Sequence, residues 1–152
     1  MSRRIVTGNV EGRSRVISDE EIVFDGFSAQ VWTVEPDALP SWISPHDPAT
    51  ALPFEPAAGA SRSMIVHLTP ENVREQRAMP LPGVREHGFH TTRSIDYVVV
   101  LDGWIRLDLD DESVDLAAGD VVIQQATSHA WSTVGEESGT FFVVVTTVDA
   151  LL

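Results

Sequence analysis

The chain has 152 residues, one domain's worth, and a chain of that length buries roughly 70% of the surface that it exposes when unfolded. It contains no cysteine, and all ten of its cationic side chains are arginine, which excludes disulfides, thiolate metal sites, cysteine nucleophiles and lysine Schiff bases. A net charge of −13 with scattered arginines argues against a nucleic-acid partner, and no apolar run reaches the length of a signal peptide or membrane span, so a cytoplasmic protein without membrane contact is expected.

From Arg3 to Ile22 short β-branched clusters, Ile5-Val6 and Val16-Ile17, predict one or two edge strands joined by glycine turns. A further strand is expected within Phe24 to Val34, with Phe27, Ala29, Val31 and Thr33 on one face. Pro36, Pro40, Pro45, Pro48, Pro53 and Pro56 then punctuate a stretch that can form neither a regular helix nor a central strand, so residues 1–62 read as N-terminal strands and a proline-rich arm, the latter a lid or a dimer contact. Residues 63–152 read as the core of a single domain.

Ser63 to Thr69 is predicted as a strand with Met64, Val66 and Leu68 on one face and Ile65 and His67 on the other; Pro70 ends it, and Pro70 to Gln76 can make a short helical turn. Pro80 to Gly88 is a turn-rich connection into His90. Strands follow at short, regular intervals, over 95–101, 104–109, 113–116, 120–124, 129–133 and 140–147, with Asp110-Asp111-Glu112 as a hairpin turn, Gly119-Asp120 as another, and Gly103-Trp104 as a tight hairpin corner. The fold class is therefore all-β, a small barrel.

The chemistry-bearing residues cluster between His90 and Thr133. His90, Thr92 and Asp96 share parity on an extended strand, so their side chains point to one face. His129, two residues before Trp131, sits on a later strand. An isolated histidine carries little information, whereas two that converge on a carboxylate make an acid–base or ligand cluster. Buried without partners, Asp96 would be costly, so it must meet a cation, a proton or donors. With both imidazoles it makes a two-histidine, one-carboxylate set of the kind that suits non-haem Fe(II). Trp131, Thr92 and His67 are candidates for the substrate pocket; His87, on the opposite parity to His90 and in a loop, is read as facing solvent.

These residues resemble the cupin superfamily, a double-stranded β-helix or jelly roll. The first motif of that family appears as His90-x-Thr92-x3-Asp96-x6-Gly103, with Thr92 where the family has its second histidine and Asp96 where it has glutamate. The second appears as Gly119-x5-Gln125-x-Thr127-x-His129-x3-Thr133, which keeps the histidine and replaces the proline, second glycine and asparagine. The wording around Ile95-Asp96-Tyr97 is similar to a subgroup of small single-domain cupins with an aspartate-tyrosine pair in place of that glutamate. The resemblance implies a metal held by His90, Asp96 and His129, whether iron, zinc, manganese or nickel, or a site that works with none.

The resulting expectation is an enzyme using His129, His90 and Asp96 for acid–base chemistry on a small, apolar carbonyl or polyketide-like metabolite: dehydration, isomerisation or cyclisation, with or without metal assistance. Two other readings are an Fe(II) oxygenase and a metabolite-binding cupin without catalysis. A homodimer is expected from the edge strands.

Overall fold

The computed structural model describes residues 3–10, 13–34, 56–79 and 83–147. Most of the proline-rich arm, with Trp42 and His46, lies outside the described residues, and with it the expected lid or dimer contact. Strands β1 (Arg3–Val10) and β2 (Arg13–Glu21) pair antiparallel as a two-stranded ribbon. The remaining strands form the barrel: β3 (Ser28–Val34), β4 (Ser61–Leu68), β5 (Ser94–Leu109), β6 (Ser113–Ala117), β7 (Val121–Gln125), β8 (His129–Thr133) and β9 (Gly139–Thr147).

Every pairing in the barrel is antiparallel, and β5 belongs to two sheets. Its first half pairs with β9 and β7, so that the order β3-β4-β9-β5-β7 makes one wall. Its second half pairs with β6 and β8 and makes the other. The expected hairpin corner at Gly103-Trp104 is therefore corrected: β5 is one continuous strand of 16 residues that passes from sheet to sheet. Gly103 takes φ 69° next to a register shift between Val100 and Asp102, and a Cβ there would collide with the Ser138 carbonyl. Only glycine occupies that conformation cheaply, so the residue marks a bulge that bends the strand.

Alternation explains which side chains fill the interior. Phe141, Val143 and Val145 on β9, Val98 and Val100 on β5, and Val66 and Leu68 on β4 point inward, where Ile105, Leu107 and Leu116 from the second sheet meet them. Each such side chain stabilises the fold by about 1.5–3 kcal/mol relative to exposure. On β3 the inward parity carries Ser28 and Gln30, not an apolar row, so the first wall becomes polar at its β3 edge.

Between β4 and β5 the chain forms α1 (Pro70–Ala78), longer than the turn expected from Pro70 to Gln76. Thr69 caps it: its hydroxyl accepts from Asn72 N at 3.2 Å while the Asn72 side chain accepts from Thr69 N at 2.9 Å. Proline at the first helical position costs no hydrogen bond there. The helix buries Val73 against the barrel and closes one side of the interior.

Candidate active site

The segment just before β5 pairs with the start of β8. There His90 bridges His129, each backbone N–H donating to the other residue's carbonyl at 2.9 and 3.0 Å. That bridge brings the imidazoles together, with ring centroids 4.3 Å apart. Neither ring hangs loose. His90 Nδ1 lies 2.9 Å from the Gly88 carbonyl and His129 Nδ1 lies 2.9 Å from the Thr127 carbonyl. A carbonyl only accepts, so the carbonyl contact gives each Nδ1 the hydrogen and leaves Nε2 as the basic nitrogen of the neutral ring; at His129 the Gln124 amide nitrogen, itself a donor, competes for the same Nδ1. The Gln124 carboxamide also packs on the His129 Nδ1 edge and donates to the Thr127 carbonyl at 3.2 Å.

Asp96 projects from β5 into the same pocket as both histidines. Its Oδ1 accepts from Ser94 Oγ at 2.7 Å, and Ser94 Oγ shares a hydrogen bond with Thr92 Oγ1, also 2.7 Å long. Thr92, just before β5, and Ser94 and Asp96 on it thus form a buried polar line. Burial pushes the Asp96 carboxyl above its usual range, opposed by the Ser94 hydroxyl and by attraction to His90. Burial likewise pushes the His129 imidazole down to about 4, against the Thr127 carbonyl, which favours the charged form, and with help from His90, which repels it. His129 is therefore neutral at physiological pH.

The pocket has a volume of about 300 Å³. Met64, Val98, Phe141 and Val143 supply its apolar walls and Val73 of α1 covers it. Trp131 stands edge-on to His129, centroids 6.1 Å apart, and packs on Phe141 at 5.0 Å. Trp131 and Thr92 both line the pocket. His67 does not line it: on β4 it has the opposite parity to Met64 and Val66, and its exposed ring contacts Thr140 Oγ1 at 2.8 Å. His87, read as facing solvent, is exposed and yet lines the pocket edge, where φ 62° turns the chain toward His90.

Among the described residues no group of three or more histidines, aspartates or glutamates is placed to hold a metal ion. His90, Asp96 and His129 share a pocket without forming the three-ligand set expected of them. The cause is local. Aspartate is one methylene shorter than the glutamate of the family motif, and Ser94 holds its carboxylate along β5. The donor set does not fit the metal that the fold implies.

Four contributors were missed from sequence: Ser94, Gln124, Arg62 and the helix residue Val73. Ser94 shares parity with Thr92 and Asp96, and Gln124 lies only three and five residues from its partners Thr127 and His129; the places of Arg62 and Val73 depend on strands far along the chain.

Two antiparallel sheets share β5 and enclose a pocket that holds paired histidines at the two motif positions. The fold is a cupin barrel. No known family profile matches the chain. Solved structures similar to this chain include a cupin 2 conserved barrel domain protein from Salinispora arenicola, with 21% identity over 65% of this chain and 71% of that one and a TM-score of 0.42. An RmlC-like cupin from Methanocaldococcus jannaschii shows 17% identity over 57% and 70%, with a TM-score of 0.42. A putative ethanolamine utilization protein Q from Salmonella typhimurium shows 14% identity over 98% of each chain, with a TM-score of 0.47. Among curated proteins, phomopsin biosynthesis cluster proteins C' and D of Diaporthe leptostromiformis are each 58% identical over 43 residues. That segment is 28% of this chain and 23% of either relative, so less than a quarter of their length is matched. No helix among the described residues is long and apolar enough to cross a membrane.

Proposed function

We propose that this protein is an acid–base enzyme that moves a proton next to the carbonyl of a small, largely apolar metabolite. The observation that carries the reading is the histidine pair: two imidazoles tied at Nδ1 to backbone carbonyls, 4.3 Å apart, in an apolar pocket with one buried carboxylate. A ring fixed at one nitrogen is held in a single tautomer, and its other nitrogen is positioned for proton transfer.

His129 is the base. It is 2% exposed and stays neutral down to about pH 4, so its Nε2 pair is available throughout the physiological range. It takes the proton from the carbon adjacent to the substrate carbonyl, then returns it to another position or lets a β-substituent leave. Asp96 offsets the positive charge that appears on the imidazole pair, through its attraction to His90. Orientation of the rings falls to Gly88 and Thr127, not to Asp96. The names of the two curated relatives, proteins of a biosynthesis cluster, favour a biosynthetic step.

Deuterium wash-in from D2O at the α-carbons of cyclohexanone, followed by proton NMR, tests the reading with a simple ketone in place of the natural substrate. The wild-type protein should accelerate exchange over buffer, and His129→Ala should lower the rate by about 10²-fold or more while remaining folded by circular dichroism. Wild-type protein that shows ketone binding but no exchange above buffer would refute it.

A further inference from the structure

The inward-facing residues of the first wall fall into cross-strand rows of very different character. One row runs Gln30, Met64, Val143, Val98. The next runs Arg62, Val145, Asp96, Gln124, with Arg62 opposite Val145, Val145 opposite Asp96 and Asp96 opposite Gln124. The ionisable groups of these two rows thus fall in one layer, with Asp96 in the middle and the Arg62 position two strands away. At about 4.8 Å per strand, the backbones of Arg62 and Asp96 are roughly 10 Å apart, and the floor between them is the isopropyl group of Val145.

We infer that Arg62 is the anchor for a carboxylate on the substrate, so that the pocket takes an apolar monocarboxylic acid whose carbonyl lies toward Asp96 and the histidines. Arg62 is 4% exposed and lines the pocket. A buried cation is costly unless acceptors surround it, and placing one in a pocket wall selects an anion among ligands. Arg62 already has another interaction, but a planar fork of five N–H donors has capacity for a bidentate carboxylate as well. Arg77, which also lines the pocket, lies 3.6 Å from Asp108 and is drawn toward the second sheet.

A second observation marks the same end as polar. Gln30, in the adjoining row, has a buried Oε1 with no hydrogen-bond partner among the described residues. Turned by half a rotation, its carboxamide presents N–H to the same carboxylate at no change in shape. The alternative for Arg62 is a purely structural guanidinium holding the β3–β4 edge, which would leave the pocket indifferent to ligand charge.

This assignment rests on the proposed proton-transfer reading only for where the substrate carbonyl lies; the anchor itself is tested by binding alone. The probes are 3-phenylpropionate and 3-phenylpropionamide, titrated calorimetrically against the full chain. The acid should bind at least tenfold more tightly than the amide. Arg62→Gln should bring the ratio to about one, and Arg62→Lys should keep part of it. Equal affinities for the two probes in the wild type, no measurable binding of the acid, or a folded Arg62→Gln that keeps the preference would overturn the assignment. The wild-type comparison stands even where a variant does not fold. Acid preference without ketone exchange would remove the proton-transfer reading and keep the anchor; exchange without acid preference would do the reverse.

Discussion

At the scale of single residues, the decisive quantity is the proton affinity of His129. An exposed imidazole titrates near 6.5, whereas this one is pushed to about 4 by burial. If it is the base, kcat/KM for α-proton exchange should stay flat from pH 8 to pH 5 and fall only near pH 4, because that limb reports the free enzyme. An inflection near 6.5 in the same profile would point to an ordinary, hydrated histidine. Neighbouring Ser94 offers a second handle. Its hydroxyl donates to Asp96 and lowers the carboxyl's proton affinity, so Ser94→Ala should raise the Asp96 pKa further, read by carbonyl-carbon NMR titration of the labelled aspartate. For metal, the geometry predicts well under one equivalent per chain after purification without an affinity tag, and exchange activity unchanged by dialysis against EDTA. Stoichiometric metal together with chelator-sensitive exchange would show that a third donor completes the site.

Residue identity made part of this legible from sequence. His90, Thr92 and Asp96 declare their common face by parity alone, and the structure puts all three in the pocket wall. Parity also sets His67 apart from Met64 and Val66, and its ring is exposed on the other face of β4. Arg62 was harder to see. Arginine on a strand ordinarily faces water, and nothing local distinguishes a position opposite Val145 from an exposed one; its burial is created by β9, more than eighty residues later in the chain. Thr127 and Gly88 act through backbone carbonyls, which no side-chain pattern reports.

At the scale of elements, β5 is the structural hinge of the molecule, since among the described residues it alone belongs to both sheets. A glycine between two apolar runs looks in sequence like a hairpin corner, because hairpins and bulges recruit the same left-handed conformation. What separates them is the partner: at Gly103 the opposing residue is Gly139 of β9, and the strand continues. Gly103→Ala should therefore cost more than an ordinary glycine substitution, because it adds positive-φ strain of about 1–3 kcal/mol to a clash with the Ser138 carbonyl. Denaturant titration should show a lower midpoint with an unchanged slope; a midpoint within error of wild type would mean that β5 bends elsewhere. The cap of α1 provides a milder case. Thr69→Ala should lose about 1 kcal/mol, and because Val73 of that helix covers the pocket, ligand affinity should fall with it.

At the scale of the whole molecule, a functional pocket inside a small barrel imposes a stability cost that pH exposes. His129 binds a proton near 6.5 when the chain is unfolded and only near 4 when folded. Between those values the unfolded chain holds more protons, so the folded state loses stability as pH falls through the window. Taking the two pKa values at face value, the loss between pH 7 and pH 5 is about 2 kcal/mol. Asp96 acts with the opposite sign: its folded carboxyl keeps a proton to higher pH than the unfolded one, so it favours folding on the acid side and that advantage fades as pH rises through its folded pKa. The wild type alone reports the sum of the two. Comparing it with His129→Gln isolates the imidazole, because Asp96 is common to both chains. Guanidinium unfolding at pH 7 and pH 5 should show the wild type losing about 2 kcal/mol more than the variant over that interval; equal losses would mean that the His129 ring is hydrated and charged in the folded protein, and with it would go the neutral base on which the proposed chemistry depends.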